Sequence, residues 1–165
     1  MSLPTIPQTW HRDEFLISND KTLLSIPSIN AAFNSDDMYW AESFPDNVLQ
    51  DVINNSFCLG LYTTASKTPK QIGFARLVTD NITFAYLTDV YVLPEYQGRG
   101  LGGWLLDCMA EVLAPLPYLR WTMLRTSTAK SRESYERRMG MRVLCNGDVK
   151  DGAVMMGKKG QGGRV

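Results

Sequence analysis

The sequence has few of the residues that carry metal, redox and hydrolytic chemistry. It has one histidine, His11, and three widely spaced cysteines, Cys58, Cys108 and Cys145, among 165 residues. A single histidine near the N-terminus argues against Ser-His and Cys-His catalysis, and Cys108 falls on an apolar helix face, where a core role is simpler. The odd, unpatterned cysteines fit a reducing compartment and predict neither a disulfide framework nor a metal site.

Long apolar runs and long basic runs are also missing. No apolar stretch approaches the roughly 20 residues that a membrane span needs, and the first fifteen residues contain no apolar core typical of a signal peptide. Basic residues are not interleaved with aromatic ones, which argues against a nucleic-acid surface. We therefore expect a cytoplasmic monomer or homodimer that binds neither membranes nor nucleic acid.

Composition and length are those of an ordinary globular domain, with 44% apolar and 21% charged residues. We expect residues 1–158 to form one domain and residues 159–165 to form a flexible tail. The net charge is zero, but residues 1–94 sum to −5 and residues 95–165 to +5. This asymmetry is either scatter over solvated faces or the mark of a bound anion in the second part and a cationic substrate in the first.

Hydrophobic periodicity and turn residues predict a mixed α/β domain. We predict strands at 14–18, 57–64, 71–80, 82–93, 118–126, 141–145 and 153–159, and helices at 26–34, 44–56, 101–113 and 128–140. Pro45 is expected in the first turn of its helix, and Gly140 is expected to stop the last helix. The short Asp80-Asn81 connection indicates an antiparallel hairpin.

Residues 91–113, YVLPEYQGRGLGGWLLDCMAEVL, begin like a buried strand and end like an amphipathic helix, with four glycines between. A helix N-terminus presents unpaired N–H groups and a partial positive charge, and glycines let an anion approach that backbone. The stretch lacks the Gly-Lys-Ser/Thr of a phosphate-binding Walker loop, and residues 94–97 separate it from the strand, unlike a dinucleotide fingerprint. It predicts either a diphosphate site or simply a permissive turn.

Two motifs in the right order resemble the GNAT family of N-acetyltransferases. The family's Gln/Arg-x-x-Gly-x-Gly/Ala motif stands here as Gln97-Gly98-Arg99-Gly100-Leu101-Gly102, and its Tyr-Glu-x-x-Gly motif stands as Tyr135-Glu136-Arg137-Arg138-Met139-Gly140-Met141. The resemblance covers about residues 36–145. It implies an α/β fold with a mixed, mostly antiparallel central sheet, a splayed central strand, and helices on both faces.

The resemblance also implies acetyl-CoA as co-substrate and direct transfer of acetyl to an amine in a ternary complex. In the family, backbone groups of a bulged strand pair with pantetheine, loop N–H groups hold the pyrophosphate, and a free N–H at the bulge, here around Val92, stabilises the oxyanion. Arg99 either adds a charge-assisted bond or points to solvent. The corresponding cofactor residues are Val90, Tyr91, Val92, Gln97, Gly98, Arg99, Gly100, Leu101, Gly102, Gly103 and Thr128.

Tyr135 matches the tyrosine that protonates the departing CoA thiolate in the family, with a purely packing role as the alternative. The attacking amine must also lose a proton, because an alkylamine has a pKa near ~10.4. The glutamate that many relatives use for this falls near Met123 here, which cannot accept a proton. Asp89 is the best remaining carboxylate, acting either as base or as a buried partner of Arg76 or Arg125, and a water chain is a third option.

The acceptor is expected beside NSDDMYWAE, residues 34–42. Asp36 and Asp37 would hold a cationic substrate, and Tyr39 and Trp40 would stack on it; the alternative is a capping loop with two core aromatics. The sequence therefore predicts an N-acetyltransferase for a primary amine of a small molecule. A protein or peptide acceptor and a non-catalytic acyl-CoA sensor are the alternatives.

Overall fold

The structure is a computed structural model that describes residues 1–146 and 152–162. The strands are β1 (Thr9–Arg12), β2 (Phe15–Ser18), β3 (Phe57–Thr63), β4 (Lys70–Thr79), β5 (Phe84–Val92), β6 (Trp121–Thr126), β7 (Arg142–Asn146) and β8 (Val154–Lys159). The α-helices are α1 (Ile26–Phe33), α2 (Asp46–Asn54), α3 (Leu101–Leu113) and α4 (Ala129–Met139). Short 3-10 turns lie at Lys21–Leu23, Asp36–Met38 and Pro94–Tyr96.

The eight described strands form one sheet in the order β1-β2-β3-β4-β5-β6-β8-β7. β1 with β2, β2 with β3, β6 with β8 and β7 with β8 are antiparallel pairs. β5 and β6 are parallel, and their register runs from Phe84↔Trp121 to Tyr86↔Met123. This mixed, mostly antiparallel sheet with four α-helices confirms the predicted fold class.

Contacts divide the chain into two compact units. The glycine-loop unit comprises Pro4–Arg76 and Asp89–Leu105, and the tyrosine-helix unit comprises Met1–Leu3, Leu77–Thr88 and the chain from Leu106 onward. The division falls within three continuous elements, β4, β5 and α3. In β5 it falls at the peptide bond between Thr88 and Asp89.

The glycine-loop unit has its own hydrophobic core. The buried cluster consists of Ile29, Phe33, Met38, Leu49, Ile53, Cys58 and Phe74, each at most 2% exposed. These residues come from α1, α2, β3, β4 and the 3-10 turn at Asp36–Met38, so the two predicted amphipathic helices cover the strands as their periodicity requires. Burying each large side chain of this kind contributes about 1.5–3 kcal/mol. Pro45 is the N-cap residue before α2, so it lies just outside the first turn in which it was predicted.

β1 was not predicted, because its four residues are mostly exposed and do not alternate between apolar and polar. It forms a hairpin with β2 through Asp13, whose φ is 49°. The guanidinium of Arg12 lies 4.6 Å from the centre of the Trp104 ring, a cation–π contact with the start of α3. The hairpin therefore packs beside the glycine-rich helix start.

The tyrosine-helix unit contains the pairs β6·β8 and β7·β8 and helix α4. Gly140 ends α4 in the left-handed conformation, with φ 63°, as predicted. β8 extends through Lys159, and the N–H groups of Gly160 and Gly162 donate to the carbonyls of Arg120 (2.8 Å) and Leu119 (2.9 Å). Residues 159–162 of the expected tail are thus hydrogen-bonded, and residues 163–165 lie outside the described part.

The connection between β4 and β5 is the predicted tight turn. One carboxylate oxygen of Asp80 accepts the N–H groups of Ile82, Thr83 and Phe84, and Asn81 has φ 67°. The Thr83 hydroxyl donates to the other carboxylate oxygen at 2.6 Å, and this bond, followed by the N–H bonds, holds the pKa of Asp80 below its usual value. Within residues 1–146 and 152–162, no helix has the length and apolar character needed to cross a membrane.

Candidate active site

Gly98 and Gly100 lie in the loop before α3, where the chain takes a conformation that side chains resist. Their φ angles are 78° and 73°, and an added Cβ at either position would meet nothing within 4 Å. An L-residue in the left-handed region costs roughly 1–2 kcal/mol, which glycine avoids. Backbone conformation, not packing, therefore demands glycine here, and both positions face open space.

The backbone N–H groups of residues 98–103 are available to a ligand. The first hydrogen bond of α3 runs from the Trp104 N–H to the Gly100 carbonyl, 3.0 Å. In the described part of the chain, the N–H groups of the six residues before Trp104 donate to no protein acceptor. Unpaired N–H groups at the positive end of a 13-residue helix form an anion site. The geometry thus has what a diphosphate needs.

Side chains around the loop hold it to its neighbours. Gln97 donates from Nε2 to the carbonyl of Val92, 2.9 Å, which ties the loop to the end of β5. Arg99 lies 3.6 Å from the carboxylate of Glu14 and 5.7 Å from the centre of the Tyr96 ring. Both charged side chains are half exposed, and such a pair is worth at most about 1 kcal/mol. Arg99 is therefore free to exchange Glu14 for a phosphate oxygen.

β5 contains a backbone irregularity at Asp89. Its φ is 55°, whereas the other described non-glycine residues with positive φ, Asp13 and Asn81, lie in turns. A left-handed residue inside a strand interrupts the pleat and redirects the residues that follow, as a β-bulge does. Val90, Tyr91 and Val92, the predicted pantetheine contacts, follow directly and are all half-buried.

The Asp89 carboxylate is ion-paired with Arg76, one of the two partners that the sequence analysis considered. Arg76 Nε lies 2.7 Å from Asp89 Oδ2, and Arg76 Nη1 donates to Ser56 Oγ at 3.1 Å. Ser56 Oγ in turn donates to the Val52 carbonyl in α2, 2.7 Å. The pair is largely shielded from solvent, with side-chain exposures of 17% and 12%.

Gly73 is a site residue that the sequence analysis missed. A Cβ at Gly73 would lie 2.8 Å from the Tyr91 carbonyl and 2.9 Å from the Leu61 side chain. Glycine therefore lets the backbone of β4 approach β5 closely beside the predicted pantetheine contacts. The available signal was an isolated glycine inside a predicted strand.

The Tyr91 ring packs at 46° against Phe74, and burial raises the pKa of its phenol, which stays neutral.

Tyr135 and Thr128 belong to the tyrosine-helix unit. Tyr135 is half-buried in α4, and burial raises the pKa of its phenol to about 12. A phenol with this pKa is protonated at any physiological pH, so it carries the proton that a general acid must give. Thr128 caps the N-terminus of α4, where its Oγ1 accepts the N–H of Ser131 at 3.1 Å.

The predicted acceptor loop, residues 34–42, presents aromatic and acidic side chains to solvent. Met38 anchors it in the core at 2% exposure, whereas Tyr39 is 74% and Trp40 51% exposed. The rings of Tyr39 and Trp40 form an edge-to-face pair with centroids 5.0 Å apart. Asp36 and Asp37 are exposed as well. The alternative of two core aromatics is therefore wrong.

Comparison with known proteins agrees with this geometry. The chain matches the acetyltransferase (GNAT) family over residues 27–141. A Gibberella zeae protein named for an inferred acetyltransferase activity is 42% identical over 137 residues, covering 74% of this chain and 77% of that protein. A Xanthomonas campestris crystal structure assigned to the GNAT family is 35% identical with TM-score 0.63, covering 77% of this chain and 84% of that one.

A third comparison shows the fold alone. The NatC complex bound to Gag peptide and CoA is 17% identical with TM-score 0.68, covering 89% of this chain and 99% of that one. The chain belongs to the GNAT family, which confirms the resemblance found in the sequence. It is an N-acetyltransferase of a family whose members use acetyl-CoA and an acceptor substrate. Within the described residues, no group of three or more His, Cys, Asp or Glu side chains is placed to hold a metal ion.

Proposed function

We propose that residues 1–158 act as one domain that transfers acetyl directly from acetyl-CoA to the primary amine of a small molecule, in a ternary complex. The observation that carries the proposal is the row of unpaired N–H groups at residues 98–103, opened by glycines with positive φ. Such a row fits a diphosphate, which distinguishes CoA from simpler thioesters. The family match supports the same cofactor.

The cofactor would bind along β5 and the glycine loop. N–H groups of residues 98–103 would hold the diphosphate, with Arg99 adding a charge-assisted bond. The amides of the pantetheine arm would pair with the backbone of residues 90–92. Gln97 would keep the loop in place through its bond to Val92, and Thr128 would contribute from the start of α4.

In the proposed reaction, the amine nitrogen attacks the thioester carbon, so that the C–N bond forms before the C–S bond breaks. A backbone N–H near Val92 would stabilise the oxyanion between the two steps. The CoA sulfur leaves with the C–S electron pair and takes a proton from Tyr135, whose phenolate then regains a proton from solvent. Because burial raises the pKa of Tyr135 to about 12, its phenol holds this proton until the thiolate forms.

The amine must lose a proton before or during its attack. Asp89 already binds Arg76 through Oδ2, and the Arg76 guanidinium bridges to Ser56. A carboxylate committed to a shielded ion pair is a poor candidate for repeated proton transfer, so we assign the amine proton to water. Asp89 then has a structural role in the backbone conformation of β5.

A cationic amine would be attracted to the acceptor loop. Asp36 and Asp37 supply negative charge, and the exposed rings of Tyr39 and Trp40 offer faces for an alkylammonium group. The net charge of −5 over residues 1–94 also favours a cationic substrate.

An acceptor screen tests the proposal. Release of free thiol from acetyl-CoA is followed over alkylamines, polyamines, amino acids and peptides, and we expect turnover with at least one small amine. Trp40→Ala should raise the KM of that amine several-fold and leave the KM of acetyl-CoA unchanged. Tyr118→Ala, which removes a 63% exposed ring elsewhere, is the matched control and should change neither. No turnover with any amine would favour a non-catalytic acyl-CoA sensor.

A peptide or protein amine is the second candidate. The observation that favours it is the openness of Tyr39 and Trp40, since a protein acceptor needs an accessible surface. The NatC structure of the same fold binds a peptide together with CoA. Peptide lysines or N-termini that outperform every small amine in the same screen would select this candidate.

A further inference from the structure

Asp89 adopts a left-handed conformation that is unusual inside a strand. Its φ of 55° lies inside strand β5, with no turn on either side. Non-glycine residues stay in this region only when the surrounding structure holds them there. An external restraint must therefore act on Asp89.

The ion pair with Arg76 is a contact that can supply such a restraint. Arg76 Nε lies 2.7 Å from Asp89 Oδ2, and the side chains are 17% and 12% exposed, so water screens the pair weakly. The other end of the guanidinium is also fixed, because Nη1 donates to Ser56 Oγ at 3.1 Å. The Ser56 hydroxyl donates its one hydrogen to the Val52 carbonyl, 2.7 Å away. Its oxygen is therefore left to accept the hydrogen bond from Arg76. β5 is thus tethered through β4 to the C-terminal end of α2.

We propose that Arg76 is a positioning residue, which holds Asp89 in the left-handed conformation and thereby directs the backbone of residues 90–92 at the pantetheine arm. The inference rests on the proposed function, since that function assigns the arm to these residues. If Asp89 relaxed to an ordinary strand conformation, the N–H and carbonyl groups after it would lose the direction that the irregularity gives them. The diphosphate contacts at residues 98–103 would not change.

Because the pantetheine arm and the diphosphate are assigned to different residues, loss of the pantetheine contacts can be tested separately. Calorimetry compares coenzyme A with its nucleotide half, adenosine 3′-phosphate 5′-diphosphate, which has the diphosphate but no pantetheine. Arg76→Met should weaken coenzyme A binding about 10-fold or more and leave binding of the nucleotide half within about twofold. A general loss of structure would weaken both ligands alike.

Glycine at position 89 gives the decisive rescue. Asp89→Gly takes a φ of 55° without strain and needs no partner, so Arg76→Met/Asp89→Gly should bind coenzyme A within about threefold of wild type. Arg76→Met/Asp89→Ala is the matched control, because it also removes the carboxylate but restores no freedom at φ. It should stay as weak as Arg76→Met alone.

The inference is overturned if Arg76→Met binds coenzyme A like wild type, if it loses both ligands equally, or if glycine and alanine at position 89 behave alike. A rescue variant that does not unfold cooperatively on heating also overturns it, because relief of strain should preserve the fold. Turnover of Asp89→Gly that is lost at pH 7 and regained at higher pH would instead make Asp89 the base. Wild type that binds neither ligand would contradict the proposed function itself and this inference with it.

Discussion

At Tyr135, burial rather than a charged neighbour sets the acid–base behaviour. Its pKa is raised from 10.0 to about 12 by desolvation of the phenolate. The folded protein therefore keeps this proton more tightly than the unfolded chain does. The stability linked to Tyr135 is complete below pH 10 and is lost as the pH rises through about 12. The sequence motif located this residue, but only the fold shows why it stays protonated.

Tyr135→Phe should lower kcat by about 100-fold, because the thiolate then leaves without a proton donor, while the Kd for coenzyme A stays within about twofold. Steady-state kinetics and calorimetry measure the two quantities. Since Tyr135 is protonated far above neutrality, wild type and variant should show pH–rate profiles of the same shape below pH 10. Unchanged kcat would remove Tyr135 from the mechanism, whereas a high-pH limb below pH 10 that wild type shows and the variant lacks would contradict the raised pKa.

Tyr62 is a buried tyrosine that lies against Gly60 in β3. It is 1% exposed, and its hydroxyl has no hydrogen-bond partner among the described residues. Its ring lies directly over Gly60, where an added Cβ would collide with the ring and its hydroxyl. Sequence alone placed both residues in a strand but could not show that they share this space.

Tyr62→Phe should leave the free energy of unfolding unchanged or raise it by about 1 kcal/mol, because it deletes an unsatisfied buried group. Gly60→Ala should lower it by about 1–3 kcal/mol through overpacking against the same ring. Urea denaturation at pH 7 measures both. Loss of more than about 1 kcal/mol in Tyr62→Phe would reveal a hydrogen-bond partner for the hydroxyl.

At the scale of elements, local signals predicted helices well and exposed strands poorly. The predicted α3 has the same bounds as the observed helix, and α4 agrees within one residue at each end, because a cap at Thr128 and a stop at Gly140 are local. β1 escaped prediction because only its pairing with β2 makes it a strand. The sequence of a four-residue segment does not show which strand it will pair with.

Thr128→Ala should lower the free energy of unfolding by about 1 kcal/mol, because it removes the cap on the Ser131 N–H. Thr128→Ser keeps an oxygen at the same place and should retain most of this stability. Chemical denaturation compares the three proteins. Equal losses in the alanine and serine variants would contradict the capping role.

At the scale of the whole molecule, predictions held where the determining residues are close in the chain. The glycine loop and the tyrosine motif are each a single continuous stretch of sequence, so the family, the fold and the cofactor class could be predicted from them. The left-handed Asp89, its link through Arg76 to Ser56, and the close approach at Gly73 join residues up to 33 positions apart. Such features depend on how strands align, which local spacing does not encode.

The central claim is that backbone N–H groups at residues 98–103 bind the diphosphate of acetyl-CoA. The most direct test is calorimetry with coenzyme A and with pantetheine, which lacks the diphosphate, on wild type, Gly100→Ala and Gly140→Ala. Both substitutions place alanine at a positive φ, 73° and 63°, but only Gly100 belongs to the N–H row. We predict that Gly100→Ala weakens coenzyme A about 10-fold or more and leaves pantetheine unchanged, whereas Gly140→Ala affects neither. Coenzyme A binding no tighter than pantetheine in wild type, or full affinity in Gly100→Ala, would contradict the account.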